Sequence, residues 1–95
     1  MASKKIETLH PDPAKTGVNI DHGKYEQIRA SIVQILTEEE RMTFSELGDL
    51  VVKDLTGNFD GSILWYYTTV KLDLEARETI RRVPGSKPQL VELVN

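Results

Sequence analysis

The chain has 95 residues, a length that supports one small domain with a limited core. Charged residues make up 28% and apolar residues 39%, which is ordinary for a globular protein. The net charge of −3 argues against tight nonspecific DNA binding, and the lack of cysteine excludes disulfides and thiolate metal sites. No apolar run reaches the roughly 18 residues of a membrane span, and the first residues lack the apolar stretch of a secretory signal. We therefore expect a cytoplasmic protein with no membrane partner.

Residues 1–20 are predicted to form an extended N-terminal arm, because Pro11 and Pro13 disfavour a helix and no helical periodicity is present. The apolar residues Ile6, Leu9 and Val18 indicate that the arm packs against something. That surface could be the arm's own domain or a second subunit.

Two helices are predicted after the arm. The first begins near Asp21, a favourable N-cap residue, and its apolar stripe ends around residues 37–40. The second begins at Thr43, because Thr43 and Glu46 have the spacing of a capping box, in which each side chain bonds the backbone N–H of the other residue. The short segment 42–44 between these helices could add a third strand to a C-terminal sheet.

A third helix is predicted from the N-cap residue Ser62 to about residue 78. Its core stripe has helical spacing and consists of Ile63, Tyr67, Val70 and Leu74. The opposite side is also largely apolar and carries Trp65, Thr68, Thr69, Leu72 and Ala76. Because a solvated face should be polar, we expect this second side to be covered, either by the arm or by a second subunit.

Two strand-like runs, residues 80–83 and 89–94, close the chain around the turn-forming segment 84–88. Three helices followed by such a hairpin predict an α+β fold that is mainly α. The predicted architecture is a winged helix-turn-helix over residues 21–95, with the C-terminal two-stranded β-hairpin as its wing and the arm of residues 1–20 before it.

Several local patterns occur together along the chain. The arm reads HPDPAKTGVNI from His10, the second helix begins near MTFSEL from Met42, and the third helix and wing contain FDGSILWYYTTVKLDLEAR from Phe59 and RVPGSKPQ from Arg82. Together these patterns resemble a family of small bacterial proteins of unknown function, over nearly the whole chain. That resemblance implies no activity, substrate or partner. Residues 43–94 also resemble the general winged-helix pattern, which implies a recognition helix in the DNA major groove and a wing on the phosphates.

The sequence contains no glycine-rich nucleotide-binding motif, no Gly-x-Ser-x-Gly motif and no His-Glu-x-x-His motif. His10 and His22, with Asp12 or Asp21, could supply zinc ligands. Zinc sites need three or four ligands in a set geometry, so polar loop histidines are the favoured interpretation. We therefore predict no catalytic residues, no cofactor, no metal and no small-molecule substrate; the protein is not expected to be an enzyme.

DNA binding, as in a transcriptional regulator, is the first hypothesis for function. Candidate phosphate contacts are the wing cations Arg81, Arg82 and Lys87, and candidate contacts from the third helix are Ser62, Thr68, Thr69 and Lys71. The acidic residues Asp73, Glu75 and Glu78 argue against this hypothesis, since they would repel a duplex. In the structural alternative, the three wing cations simply balance the nearby acids Asp73, Glu75, Glu78 and Glu92.

The second hypothesis is a protein-interaction module or homodimer with no nucleic-acid role. Trp65, Leu72 and Ala76 would form its interface, because aromatic anchors are enriched in interface cores. The state of the third helix separates the two hypotheses. A bare polar side favours DNA binding, and burial of Trp65 and Leu72 at a subunit contact favours self-association.

Overall fold

A computed structural model describes residues 4–94 of the chain. It contains three helices, α1 (His22–Glu39), α2 (Phe44–Leu55) and α3 (Ile63–Ala76). A two-stranded antiparallel sheet is formed by β1 (Lys5–Glu7) and β2 (Asn19–Asp21). A three-stranded antiparallel sheet has the order β3 (Arg41–Thr43), β5 (Leu90–Leu93), β4 (Ile80–Arg82). The α+β class with three helices is thus confirmed.

Each helix begins at the N-cap residue that the sequence predicts. The side chains of Asp21 and Ser62 accept a hydrogen bond from the backbone N–H three residues further on, at 3.0 and 3.3 Å. Thr43 and Glu46 form the complete capping box: the Glu46 N–H donates to Thr43 Oγ1 at 3.1 Å, and the Thr43 N–H donates to Glu46 Oε1 at 3.2 Å. These bonds satisfy N–H groups that have no partner within the helix, and they fix where each helix starts.

Helix α3 ends at Ala76, two residues before the predicted end. Glu78 adopts a left-handed conformation with φ of 62°, and the Thr79 N–H donates to the Leu74 carbonyl oxygen at 2.9 Å. A left-handed residue just past a helix cannot continue it, and the returning N–H satisfies one of the last helical carbonyls. The backbone therefore turns here toward β4.

The core lies between the three helices and one side of the three-stranded sheet. The predicted stripe of α3 is confirmed, since Tyr67, Val70 and Leu74 are buried. The short strand suggested between the first two helices is also confirmed as β3. Its residue Met42 pairs with Val91 of β5, and both side chains are buried. The other buried apolar residues are Ile20, Tyr25, Ile28, Ile32, Leu36, Leu47, Val51 and Ile80.

The arm folds back on its own chain. Thr8 is buried and binds Val18 three times: its N–H donates to the Val18 carbonyl oxygen at 2.8 Å, its hydroxyl donates to the same oxygen at 3.0 Å, and it accepts from the Val18 N–H at 2.9 Å. Gly17 permits this approach, because a Cβ at that position would lie 1.8 Å from the Thr8 carbonyl oxygen. The arm is therefore a closed hairpin with little room for a side chain at its tightest point.

Asp73, a fully buried residue of α3, joins the arm to the helices. Its carboxylate accepts from the Leu9 backbone N–H at 2.8 Å, from Arg77 Nε at 2.9 Å and from the Tyr25 hydroxyl of α1. A buried charge is tolerated only when it is paired and hydrogen-bonded, and these donors meet that requirement. The sequence interpretation placed Asp73 among acids that would repel DNA, whereas its side chain faces the inside of the protein.

Within residues 4–94, no helix has the length and apolarity that crossing a membrane requires.

Candidate interaction surface

Three large apolar side chains are exposed at the starts of α2 and α3. Phe44 is 40% exposed, Leu64 58% and Trp65 49%. Phe44 is the first residue of α2, and Leu64 and Trp65 follow the first residue of α3. We refer to these three residues as the apolar face. Contiguous exposed apolar groups on a small protein mark surfaces that interact with other molecules.

A groove of about 360 Å³ adjoins the apolar face. Its lining residues are Phe44, Ser45, Gly48, Asp49, Leu64, Tyr67 and Thr68. Gly48 and Tyr67 are buried and belong to its floor, while Ser45, Asp49 and Thr68 are exposed and belong to its rim. The helices come this close because Gly48 has no side chain. A Cβ there would lie 2.8 Å from Cε2 of the Tyr67 ring.

Tyr67 fixes the position of Phe44. Its hydroxyl donates to the Phe44 carbonyl oxygen at 2.7 Å, and the two rings stack with centroids 4.9 Å apart and planes 18° apart. Burial raises the pKa of Tyr67 well above its ordinary value, and the negative charges of Asp49 and Glu75 add to that shift. The hydroxyl therefore stays protonated at neutral pH and keeps donating to the start of α2.

Trp65 is held by a row of aromatic contacts on one side only. Its ring meets the ring of Tyr66 edge-on at 4.9 Å, and the Tyr66 ring meets that of Phe59 edge-on at 5.2 Å. Lys24 Nζ lies 5.3 Å from the centre of the Tyr66 ring, in cation–π geometry. These contacts restrict the Trp65 side chain while half of its surface remains in water, so part of the ordering cost of binding is already met in the monomer.

The cation of α3 nearest to this surface is not available to a ligand. Lys71, proposed as a DNA contact, is buried and forms an ion pair with Glu75. Its Nζ also lies 5.1 Å from the centre of the Phe44 ring. None of the residues that line the groove carries a positive charge, and Asp49 carries a negative one. The surface is thus apolar with an acidic edge.

The cations of the three-stranded sheet are paired with acids. The register places Arg41 of β3 and Arg81 of β4 on either side of Glu92 of β5. Arg81 Nε donates to Glu92 Oε2 at 2.6 Å and Arg41 Nε donates to Oε1 at 2.9 Å. Both bonds lower the pKa of Glu92, and the bond from Arg81 has the larger effect. Arg82 Nε is 3.4 Å from Glu75 Oε1. For Arg81 and Arg82, these contacts match the alternative raised from the sequence, in which nearby acids balance the wing cations.

The remaining predicted DNA contacts lie in different surroundings. Ser62 is exposed and caps α3, and the exposed Thr68 bonds the Leu64 carbonyl oxygen of its own helix at 3.0 Å. Thr69 is half-buried beside a small cavity against the arm. Lys87 is exposed in the turn between β4 and β5. DNA binding by this set of residues stays a prediction.

The predicted interface residues are divided between two places. Trp65 belongs to the apolar face, but Leu72 and Ala76 are half-buried. Leu72 lines a cleft of about 790 Å³ between the arm and β4, together with residues such as His10, Arg81 and Arg82. Of the two proposed covers, the arm lies against the Leu72 part of the helix. The part of α3 around Trp65 is left uncovered by the described residues of this chain.

Two residues of the apolar face, Phe44 and Leu64, escaped the sequence analysis. Phe44 follows the N-cap Thr43 within the capping motif, and its exposure was not predicted. Leu64 belongs to neither of the two stripes assigned to α3. The available signal was the adjacent pair Leu64–Trp65, since both residues lie outside the stripe Ile63, Tyr67, Val70 and Leu74 that faces the core.

Comparison with protein families finds a match over most of the chain. The model of a family of unknown function (DUF6958) covers residues 5–91 of the chain. No curated protein matches the sequence. Within residues 4–94, no group of three or more potential metal ligands is found.

Proposed function

We propose that this chain, which belongs to the DUF6958 family of unknown function, is a protein-interaction module that self-associates through its apolar face. One observation carries the proposal: Phe44, Leu64 and Trp65 are exposed together at the starts of α2 and α3. Large aromatic side chains of this kind supply much of the binding energy in protein interfaces.

The proposal treats residues 21–95 as a winged helix. The chain order α1, β3, α2, α3, β4, β5 supports this treatment, as does the position of β5 between β3 and β4. In such an architecture, α3 is the helix that would contact DNA bases. Here the exposed start of that helix carries Leu64 and Trp65, and the adjoining groove has an acidic rim. Protein surfaces that bind nucleic acids are positively charged, so this composition favours a protein partner.

Sedimentation velocity over a concentration series tests the proposal. We expect the wild-type chain to form dimers at micromolar concentration and Leu64→Glu to be monomeric, because the substitution places a charge in the middle of the buried surface. Val94→Glu is the matched control, since Val94 is also a large exposed apolar residue (43%) but lies outside the apolar face. A wild-type chain that stays monomeric up to millimolar concentration would exclude self-association.

DNA binding through the wing is the second candidate. Arg81 and Arg82 favour it, because each exposes more than half of its side chain, 57% and 59%, despite its acidic partner. The test is fluorescence anisotropy with duplex DNA at low and moderate salt, comparing the wild type with the double variant Arg81→Glu/Arg82→Glu. A salt-sensitive affinity that the double variant loses supports DNA binding. Negligible binding by both proteins removes it.

A further inference from the structure

We propose that the cleft of about 790 Å³ between the arm and β4 binds a short peptide by its two charged ends. Arg82 holds the carboxylate of the peptide, and Glu78 holds its ammonium group. Leu72 and Val94 contact an apolar side chain of the peptide. This inference goes beyond the proposed function and is independent of it, because the cleft shares no lining residue with the apolar face.

Three segments of the chain form the walls of this cleft. The arm contributes side chains between His10 and Lys15, the end of α3 and the turn after it contribute Leu72 and Glu78, and the edge strand β4 forms the third wall. Pockets that accept small ligands have volumes of roughly 300–1,000 Å³, and this cleft lies in the upper part of that range. Its size therefore suits a ligand larger than a single amino acid.

The wall formed by the arm is ordered by its own hydrogen bonds. The Asp12 N–H donates to His10 Nδ1 at 3.0 Å, and the Ala14 N–H donates to Asp12 Oδ1 at 2.9 Å. The Lys15 N–H donates to the Asp12 carbonyl oxygen at 3.0 Å. The contact with Asp73 joins the arm to α3. This wall is therefore formed without a ligand, which reduces the entropy cost of binding.

The lining of the cleft carries both signs of charge in equal number. The cations are Lys15, Arg81 and Arg82, and the acids are Asp12, Glu75 and Glu78. A ligand with a single sign of charge is attracted by one set and repelled by the other, whereas a ligand with both signs finds a partner for each. A peptide with free ends is such a ligand, since at neutral pH its α-carboxyl group is ionised and its α-amino group is mostly protonated.

Arg82 is suited to the carboxylate end. Its side chain is 59% exposed, and within residues 4–94 its guanidinium makes a hydrogen bond only through Nε, which lies 3.4 Å from Glu75 Oε1. Glu75 also forms an ion pair with Lys71, so its single negative charge is shared between two cations. The two outer nitrogens of Arg82 are left for the bidentate contact that a guanidinium makes with a carboxylate.

Glu78 is suited to the ammonium end. It is exposed, and none of the ion pairs among residues 4–94 involves its carboxylate. Its N–H donates to the Glu75 carbonyl oxygen at 3.0 Å, which places Glu78 directly after the last turn of α3. The C-terminal end of a helix carries a partial negative charge, so the helix adds to the attraction of Glu78 for a cation.

Leu72 and Val94 give the cleft an apolar part. Leu72 is half-buried and Val94 is 43% exposed, so both side chains retain surface that a ligand can cover. Burial of an apolar side chain against this surface is favourable, in proportion to the area removed from water. The charged ends thus select a short peptide, and the apolar part favours a leucine-like side chain within it.

An NMR titration of the isotope-labelled chain tests the proposal. The probes are the peptides Leu–Ala and Leu–Ala–Ala with free ends, together with their N-acetylated and C-amidated forms. Acetylation removes the ammonium charge, and amidation removes the carboxylate charge. We expect a free peptide to bind with a millimolar or lower Kd and to shift the amide signals of Asp12, Glu78 and Arg82. Each blocked form should bind at least about tenfold more weakly, because it loses one hydrogen-bonded ion pair.

Two variants assign the ends. Arg82→Gln should weaken the free peptides about tenfold and should have no further effect on the amidated forms, which lack the carboxylate. Glu78→Gln should weaken the free peptides in the same way, with no further effect on the acetylated forms. Lys87→Gln is the matched control, since Lys87 is an exposed cation of the turn after β4 and does not line the cleft.

Failure of both free peptides to shift any signal at about 10 mM would exclude the site. Free and blocked peptides that bind equally well would overturn the recognition of the charged ends. An effect of Arg82→Gln that Lys87→Gln reproduces would overturn the role of Arg82, because it would reflect only the change in net charge. A wild-type chain that is monomeric in sedimentation would remove the proposed self-association and leave this inference standing.

Discussion

Removing the Tyr25 hydroxyl should weaken the whole fold, because this group is one of the donors to the buried Asp73 carboxylate. Tyr25→Phe keeps the ring in the core and deletes only the hydrogen bond. A hydrogen bond to a charged group contributes about 1.5–3 kcal/mol to the free energy of unfolding. Asp73 retains the Leu9 N–H and Arg77, so the loss should stay within that range. For a domain of this size, the melting temperature should fall by roughly 6–24 °C.

Thermal and urea denaturation at pH 7, followed by far-UV circular dichroism, measure this loss. Tyr66→Phe is the matched control. Tyr66 is half-buried, and its hydroxyl makes no hydrogen bond among residues 4–94. Removing that hydroxyl should therefore cost little stability. A Tyr25→Phe variant that melts together with the wild type would refute the reasoning. It would mean that Asp73 is satisfied without Tyr25 and that the arm, α1 and α3 are not joined through this carboxylate.

Two further predictions concern the same region. Burial, and after it the hydrogen bond to Asp73, raises the pKa of Tyr25 from its ordinary 10.0 to about 12. The contribution of Tyr25 to the free energy of unfolding is therefore complete below pH 10 and is lost as the pH rises toward 12. The loss should be on the order of 3 kcal/mol, and urea midpoints between pH 9 and 12 should fall less steeply for Tyr25→Phe than for the wild type. In Gly17→Ala, the new Cβ overlaps the Thr8 carbonyl oxygen, so Thr8 and Val18 should separate within the arm at a cost of about 1–3 kcal/mol. Hydrogen exchange should then be faster at the Thr8 and Val18 amides than in the wild type, and unchanged exchange would contradict the tight approach.

The helix starts could be predicted from the sequence because capping is local chemistry. Asp21, Thr43 and Ser62 each bind a backbone N–H only three residues away, so the sequence contains both partners of every bond. The end of α3 was less well predicted. It depends on the left-handed conformation of Glu78, and glutamate carries no preference for that conformation that a sequence reader could use.

The surroundings of the charged residues could not be predicted in the same way. Asp73 lies at a core position of α3, three residues after Val70, and its donors Leu9 and Tyr25 are distant in the sequence. An acid at the spacing of a core stripe is a usable signal, but nothing local identifies its partners. Lys71 was predicted as a DNA contact, but it is one of the few buried lysines, and it is paired with Glu75.

The second apolar side of α3 was predicted as one continuous surface with a single cover. In the structure it is divided. The arm approaches Leu72, whereas Trp65, two turns earlier in the helix, is 49% exposed. A helical wheel places Trp65 and Leu72 on one line, but it contains no information on where a neighbouring segment ends. The division therefore depends on the length of the arm and on the tertiary structure.

The contact between Leu9 and Asp73 also sets an order of events during synthesis, since its two residues are 64 positions apart. At ribosomal rates of about 5–20 residues per second, Leu9 is synthesised roughly 3–13 s before Asp73. During that interval the Leu9 N–H lacks the carboxylate that it binds in the folded protein. The nascent chain thus passes through a stage in which the arm has been made but the acceptor that joins it to α3 has not.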